Sequence, residues 1–237
     1  MFNFDQNADI AARDLLFTYR ASTDPINLME KIKHNCDRKQ IYAFGSGPSL
    51  PGQVRNIADH ISTQRNQFFI VAADGAANAL MEQQIYPDFV VTDLDGLKKN
   101  KIEMLLAHSI PLLVHAHGDN LDRLRELESI LRNEPNIIGT TQVTPKYPII
   151  NPGGFTDGDR GLYFLHLLLP LDLPFHLFGY DFGSLIGRYS KPEFTTDMPM
   201  TEMKRKKLTF SRELLENLQI GEHRKLIFHE SGSANDF

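Results

Sequence analysis

Pro87-Asp88-Phe89-Val90-Val91-Thr92-Asp93-Leu94-Asp95-Gly96 is the stretch on which the fold turns. Its middle, residues 89–92, is a short apolar run without alternation, as a strand buried on both faces reads. Its end carries two aspartates one residue apart and then a glycine, the composition of a turn. Similar runs recur at 41–44, 68–72, 111–115 and 175–178, with a weaker one at 147–150. Between them lie stretches read as helices near 53–65, 76–84, 98–107, 121–132 and 158–169. In the fourth of these Leu121, Leu124, Leu127 and Leu131 show the helical spacing of three and four. Strand and helix alternating in this way predict an α/β fold, a doubly wound, mostly parallel Rossmann-like sheet.

Helical additions flank that core. Residues 1–40 read as an N-terminal helical extension, in which Asp24-Pro25 looks like a cap followed by proline at the first helical position. Residues 41–237 read as the α/β domain, closing with a helix over 203–218 and a strand-like piece at 225–229. Residues 231–237 are expected to fray.

Composition narrows the class. The chain has 237 residues, a formal net charge of −5, 41% hydrophobic and 23% charged residues, which excludes a disordered chain, a collagen-like chain and a coiled-coil rod. Mild acidity argues against a partner bound through bulk charge, so nucleic acid is not expected. A single cysteine, Cys36, excludes an intrachain disulfide and a cysteine-rich metal site. No run of about 18 apolar residues suggests a membrane span. The start, Met1-Phe2-Asn3-Phe4-Asp5, is not basic and leads into no signal-peptide core, so a cytoplasmic location is expected.

In open α/β sheets ligands bind outside the carboxyl ends of the strands. The residues just after the apolar runs are Gly45-Ser46-Gly47-Pro48-Ser49, Asp74-Gly75-Ala76, Asp93-Leu94-Asp95-Gly96, His115-Ala116-His117-Gly118-Asp119-Asn120 and Gly179-Tyr180-Asp181. A glycine-rich turn, Gly153-Gly154-Phe155-Thr156-Asp157-Gly158-Asp159-Arg160, opens a helix. Ordinary turn chemistry accounts for one or two such sites, and poorly for all of them on one edge.

Each has a chemical reading beside a plain one. Glycines at 45 and 47 let backbone N–H groups approach a phosphate, or they make a tight turn. Asp93 and Asp95 converge on a hard cation such as Mg²⁺, or they are loop aspartates. His115 and His117 lack a cysteine or third histidine nearby, so contact with substrate or phosphate is expected rather than a transition metal. Thr156 is an N-cap candidate. Arg160 pairs with the nearby acids or clamps a phosphate. The run Lys204-Arg205-Lys206-Lys207 is a solvated face or a lid over a polyphosphate. Phe155 and Tyr180 stack on a ring or pack in the core.

Taken together, these motifs, with Ala73-Asp74-Gly75-Ala76 and Thr141-Gln142-Val143, resemble the archaeal-type 6-hydroxymethyl-7,8-dihydropterin pyrophosphokinase family. The match runs in order from about residue 41 to about 190, and Gly179-Tyr180-Asp181-Phe182-Gly183 and Lys206-Lys207-Leu208 also look like the family. Residues 1–40 carry no matching motif. Ala73-Asp74-Gly75-Ala76-Ala77-Asn78, Pro87-Asp88 and Asp93-Leu94-Asp95 are more distantly similar to thiamin pyrophosphokinases, although His-Ala-His-Gly-Asp-Asn departs from that pattern.

The resemblance implies an enzyme that transfers diphosphate from ATP to 6-hydroxymethyl-7,8-dihydropterin, giving the pterin diphosphate and AMP, in folate or methanopterin-type biosynthesis. It implies one or two Mg²⁺ ions held by Asp93, Asp95 and Asp119. Asp74 and Arg160 join these as catalytic candidates. Gly45, Ser46, Gly47, Pro48, Ser49, His115, His117, Asn120, Thr141, Gln142, Gly153, Gly154, Thr156, Asp157, Asp159, Asp181 and Lys207 are candidates for binding ATP or pterin. Asp157, Asp159 or Asp181 would read the pterin amidine edge. Thiamin relatives suggest a homodimer. The alternatives are thiamin or another heterocycle as acceptor, or a metal-dependent glycosyltransferase using Asp93-Leu94-Asp95.

Overall fold

A computed structural model describes residues 5–229; the expected fraying of 231–237 lies outside them. The strands are β1 (Gln40–Phe44), β2 (Phe68–Ala73), β3 (Phe89–Thr92), β4 (Leu112–Ala116), β5 (Ile137–Thr141), β6 (Phe175–Phe178), β7 (Leu185–Ile186), β8 (Met198–Pro199) and β9 (Leu226–Phe228). Seven form one parallel sheet in the order β5-β4-β3-β2-β1-β6-β9. β7 and β8 make a small antiparallel hairpin above it.

The sheet is parallel because its strands are buried on both faces. In β1, Tyr42 and Phe44 point into one apolar layer and Ile41 and Ala43 into the other. β2 divides the same way, Phe68, Ile70 and Ala72 against Phe69 and Val71. Hence neither strand shows polar alternation.

Helices α1 (Gln6–Arg20), α3 (Leu50–Thr63), α4 (Ala76–Glu82), α5 (Lys99–Ala107), α6 (Leu121–Glu126) and α7 (Glu128–Asn133) cover the first face. Helices α2 (Ile26–Asn35), α8 (Asp157–Leu168) and α9 (Glu202–Ile220) cover the second. The expected α/β, doubly wound architecture is the one observed. No helix among the described residues is long and apolar enough to cross a membrane.

Local sequence explains most boundaries. Asp24 Oδ1 accepts a hydrogen bond from Ile26 N–H at 2.9 Å, and Pro25 is already helical (φ −72°, ψ −16°) at the start of α2. α3 begins at Leu50 rather than 53, with proline in its first turn. The helix read over 121–132 is two helices broken at Leu127 (φ −99°, ψ 12°), a buried residue that faces the core.

One strand lies elsewhere than expected, and one hairpin is additional. The fifth strand is Ile137–Thr141, not 147–150, which contributes isolated bridges from Ile150 to Thr140 and from Ile149 to Lys146. Gly139 interrupts the apolar run and hides the strand. A Cβ there would stand 2.5 Å from Ile149 Cδ1 and 3.0 Å from Leu16 Cδ2, so the glycine lets α1 lie directly on the sheet. The β7–β8 hairpin had no signal in the sequence because its strands are two residues each.

α1 belongs to the covering layer. Ala12, Leu16 and Tyr19 enter the core, and buried Arg20 donates to the carbonyls of Leu131, Glu134 and Ile137 at 2.8–2.9 Å. Arg20 thereby closes the C-terminal end of α7.

Candidate active site

The carboxyl ends of β1 to β6, the start of α8, the β7–β8 hairpin and the first turns of α9 enclose a cleft of about 340 Å³. At its centre stand Asp74, Asp93 and Asp157, each offering an oxygen within 4.8 Å of the other two. Two backbone choices put them there. Asp74 (φ 48°) and Leu94 (φ 73°) both adopt left-handed conformations, which cost non-glycine residues about 1–3 kcal/mol. Leu94 spends that energy to bury its side chain while Asp93 and Asp95, on either side, stay at the cleft. Thr92 ties the turn, accepting from Leu94 N–H at 2.8 Å and donating to Asp74 Oδ1 at 2.5 Å.

Asp157 arrives from the opposite side as the first residue of α8. Its cap is the Thr156–Asp159 capping box, in which Asp159 Oδ1 accepts from Thr156 N–H at 2.9 Å. Asp159 also accepts from Phe155 N–H and from Ser211 Oγ of α9. It is fully buried with both oxygens engaged, so it holds the turn that presents Asp157.

The electrostatics are those of crowded acids. Burial, and then the neighbouring Asp93 and Asp95, push the Asp74 carboxyl well above the usual carboxylate range. Burial and the charges of Asp93 and Asp74 do the same to Asp157. Burial and Asp93 raise Asp95. Burial also opposes charge on Asp93, yet hydrogen bonding with His117 and Asp95 outweighs it and holds that carboxyl below the ordinary range. His117 Nε2 lies 3.4 Å from Asp93 Oδ2.

Positive charge surrounds the cluster. Lys191, carried beyond β7, pairs with Asp95 across the cleft. Lys204 and Lys207 line the cleft, whereas Lys206 pairs outward with Glu202 at 2.7 Å; the basic run is half lid and half solvated face. Arg160 lies fully buried beside the site. Its Nη1 donates to Gly153 O at 3.2 Å, while Nε and Nη2 have no partner among the described residues.

The remaining candidates divide between wall and frame. Gly45, Ser46, Gly47, Pro48, His115, His117, Gln142, Thr156, Tyr180 and Asp181 line the cleft. Asp181 Oδ2 accepts from Ser49 N–H at 2.8 Å and Ser49 Oγ at 2.7 Å, fixing the glycine-rich turn. Asn120 donates to the carbonyls of Asp93 and His115, both at 2.7 Å, and so joins the ends of β3 and β4. Buried Thr141, with Gly153 and Gly154 (φ 90° and 79°), shapes the flanking turns. Burial, then the Arg160 charge, pulls His115 well below the usual histidine range, so its imidazole is neutral near pH 7.

The fold does not bring Asp119 into the carboxylate cluster. Its side chain is 81% exposed at the cleft rim, 3.9 Å from His117 Nδ1. Asp157 stands in the cluster instead, a residue that the sequence reading placed on the substrate. Lys191 had no motif to mark it. Pro87-Asp88 lies at the other edge of the sheet, where Asp88 accepts from Ile70 N–H at 2.7 Å and pairs with Arg65 at 2.8 Å.

The oxygen-only donor set suits a hard divalent cation such as Mg²⁺ and disfavours softer metals. Three converging carboxylates are also what a metal-polyphosphate substrate would complete.

The family model described as "6-hydroxymethylpterin diphosphokinase MptE-like" matches residues 18–187, reaching into α1 where no motif was legible. A protein of Pyrococcus furiosus named 6-hydroxymethyl-7,8-dihydropterin pyrophosphokinase is 36% identical over 219 residues, 92% of this chain and 88% of its own. Proteins of the same name from Methanocaldococcus jannaschii and Methanothermobacter thermautotrophicus are each 34% identical, over 92% of this chain and about nine-tenths of theirs. The chain belongs to the MptE-like 6-hydroxymethylpterin diphosphokinase family.

Proposed function

We propose that this chain is a 6-hydroxymethyl-7,8-dihydropterin pyrophosphokinase, transferring the terminal diphosphate of ATP to the pterin hydroxymethyl group and releasing AMP, in pterin biosynthesis. The observation that carries the reading is the convergence of Asp74, Asp93 and Asp157 at the centre of a cleft, in a chain whose relatives bear that enzyme's name.

In this reading the pterin hydroxyl oxygen bonds to the β-phosphorus. The bond from that phosphorus to the oxygen bridging to the α-phosphate breaks, and AMP leaves with the electron pair. Such transfers need alignment and charge neutralisation more than covalent help. Asp74, Asp93 and Asp157 would hold Mg²⁺, which when bound neutralises phosphate oxygens and orients them. We assign to the ionised Asp74 the orienting of the hydroxyl and acceptance of its proton, a proton that its burial and acidic neighbours lead it to hold. Lys191, Lys204 and Lys207 attract the polyphosphate, and Arg160 adds positive charge beside the cluster. The N-terminus of α8 supplies the backbone donors for phosphate oxygens, because the N–H groups of Gly45, Gly47 and Ser49 are bonded within the chain, to Phe178 O, Gly179 O and Asp181 Oδ2.

Chromatography of a reaction with Mg²⁺, ATP and 6-hydroxymethyl-7,8-dihydropterin, with thiamin in a parallel tube, tests this. AMP and a pterin diphosphate in the pterin tube alone are expected. AMP with thiamin alone would change the acceptor. No AMP in either tube would overturn the reading.

A further inference from the structure

A buried acid on the first helix reaches the cleft wall from outside it. Asp9, in the first turn of α1, is 6% exposed, and both of its oxygens are engaged. Oδ1 accepts from Gly118 N–H at 2.7 Å, and Oδ2 accepts from Gln142 Nε2 at 2.7 Å. The contact is tight by design, since a Cβ on Gly118 would lie 2.6 Å from Ala8 Cβ. Asp9 lies before the residues matched by the family model and carries no motif of its own.

The polarity of this contact propagates. An amide has one acceptor end and one donor end. With Nε2 given to Asp9, Gln142 turns Oε1 towards His115, whose Nε2 lies 3.5 Å away. An acceptor there favours a hydrogen on His115 Nε2. The other ring nitrogen, Nδ1, lies 3.2 Å from Thr140 Oγ1, a hydroxyl that also faces the Val114 carbonyl at 3.2 Å and can turn its hydrogen to Nδ1 when that nitrogen is bare. His115 and Gln142 both line the cleft, and the His115 ring stacks on His117 at 5.5 Å.

We infer that Asp9 is a positioning residue, which orients the Gln142 amide and thereby sets the tautomer of His115 in the cleft wall. The link to turnover rests on the pterin pyrophosphokinase reading; the tautomer does not. Which nitrogen of an imidazole carries hydrogen is commonly fixed by such an outer partner.

Asp9→Asn is the informative change. Its one oxygen keeps the Gly118 bond, while its NH₂ now faces Gln142. Gln142 must flip, so that its NH₂ confronts His115 Nε2 and drives the hydrogen to Nδ1. The double variant D9N/Q142E presents a carboxylate oxygen to both sides, which restores an acceptor at His115 with the same net charge as the wild type.

Nitrogen-15 imidazole spectra of the full chain without nucleotide, with His115 assigned through His115→Gln, report the tautomer directly. Hydrogen on Nε2 is expected in the wild type and D9N/Q142E, and on Nδ1 in D9N. In the pterin assay D9N is expected to lose about tenfold in kcat with its melting temperature little changed, as for other outer partners of a site histidine, and D9N/Q142E to regain most of it. The same tautomer in wild type and D9N would overturn the inference. So would a kcat loss in D9N that the double variant does not recover. A wild type with the expected tautomer switch and no pterin activity would refute the proposed reaction and leave the positioning role standing.

Discussion

Aspartates stand at both edges of this sheet, and their surroundings differ. At the amino edge Asp88 receives a backbone N–H and an arginine, so the chain itself satisfies it. At the carboxyl edge Asp74, Asp93 and Asp157 face one another, with Arg160 turned to a backbone carbonyl and Lys191 to Asp95. The first arrangement closes a fold. The second spends stability to keep acids together, which is useful where something positive is to be bound. Two halves of one sequence motif, Pro87-Asp88 and Asp93-Leu94-Asp95, thus do opposite work five residues apart.

The contrast breaks first at Asp93. Asp93→Asn should cut kcat at least about 100-fold, the scale for losing one preorganised group in a site, with the far-ultraviolet dichroism unchanged. Wild-type Mg²⁺-dependent turnover in that variant would make the carboxyl edge as structural as the amino edge.

Metal tests the same edge through stability. With Mg²⁺ at about 100 times its dissociation constant, binding to the folded chain alone adds about 2.7 kcal/mol, roughly 5–10 °C for a chain of this size. Asp157→Asn should lose most of that rise in a thermal melt, and Asp88→Asn none of it.

Acidity supplies a third test. In chelator, the raised carboxyls of Asp74 and Asp157 keep their protons to higher pH in the folded chain than in the unfolded one. The folded state then binds more protons just above the ordinary carboxylate range, so their contribution to stability is lost as pH rises through that window. The lowered carboxyl of Asp93 works the other way. Melts between about pH 4 and 7 should show Asp157→Asn with a higher melting temperature than wild type at neutral pH and a flatter descent.

The smallest effect belongs to the amino edge. Asp88→Asn keeps an oxygen for Ile70 N–H and loses an ion pair to an arginine whose side chain is 37% exposed. It should cost under about 1 kcal/mol in a denaturant melt and leave kcat unchanged.

The layout of the sheet was legible because buried parallel strands are apolar throughout, and β1, β2, β3, β4 and β6 announce themselves in that way. β5 hid behind Gly139, whose reason lies in the distant Leu16. At the site, glycine and aspartate at strand ends drew attention to one edge, and most of those residues do line the cleft. Which acids meet was not legible. Asp157 reaches Asp93 only through the capping of α8, while Asp119, four residues from a buried histidine, turns to solvent. Asp9 and Lys191 act across long chain separations, where local pattern carries no information.

The strand order has a consequence for how the chain comes together. β1 takes β2 as one neighbour early, Ile41 beside Phe69, but its other neighbour is β6, Ile41 beside Phe175. As a chain emerges from its amino end, β1 to β5 and the layer of α1 and α3 to α7 are available before α8 and β6. Asp74 and Asp93 are therefore embedded in a largely built apolar scaffold before Asp157 is delivered beside them. The most repulsive step of assembly falls late, when a half-finished core is already there to bear it.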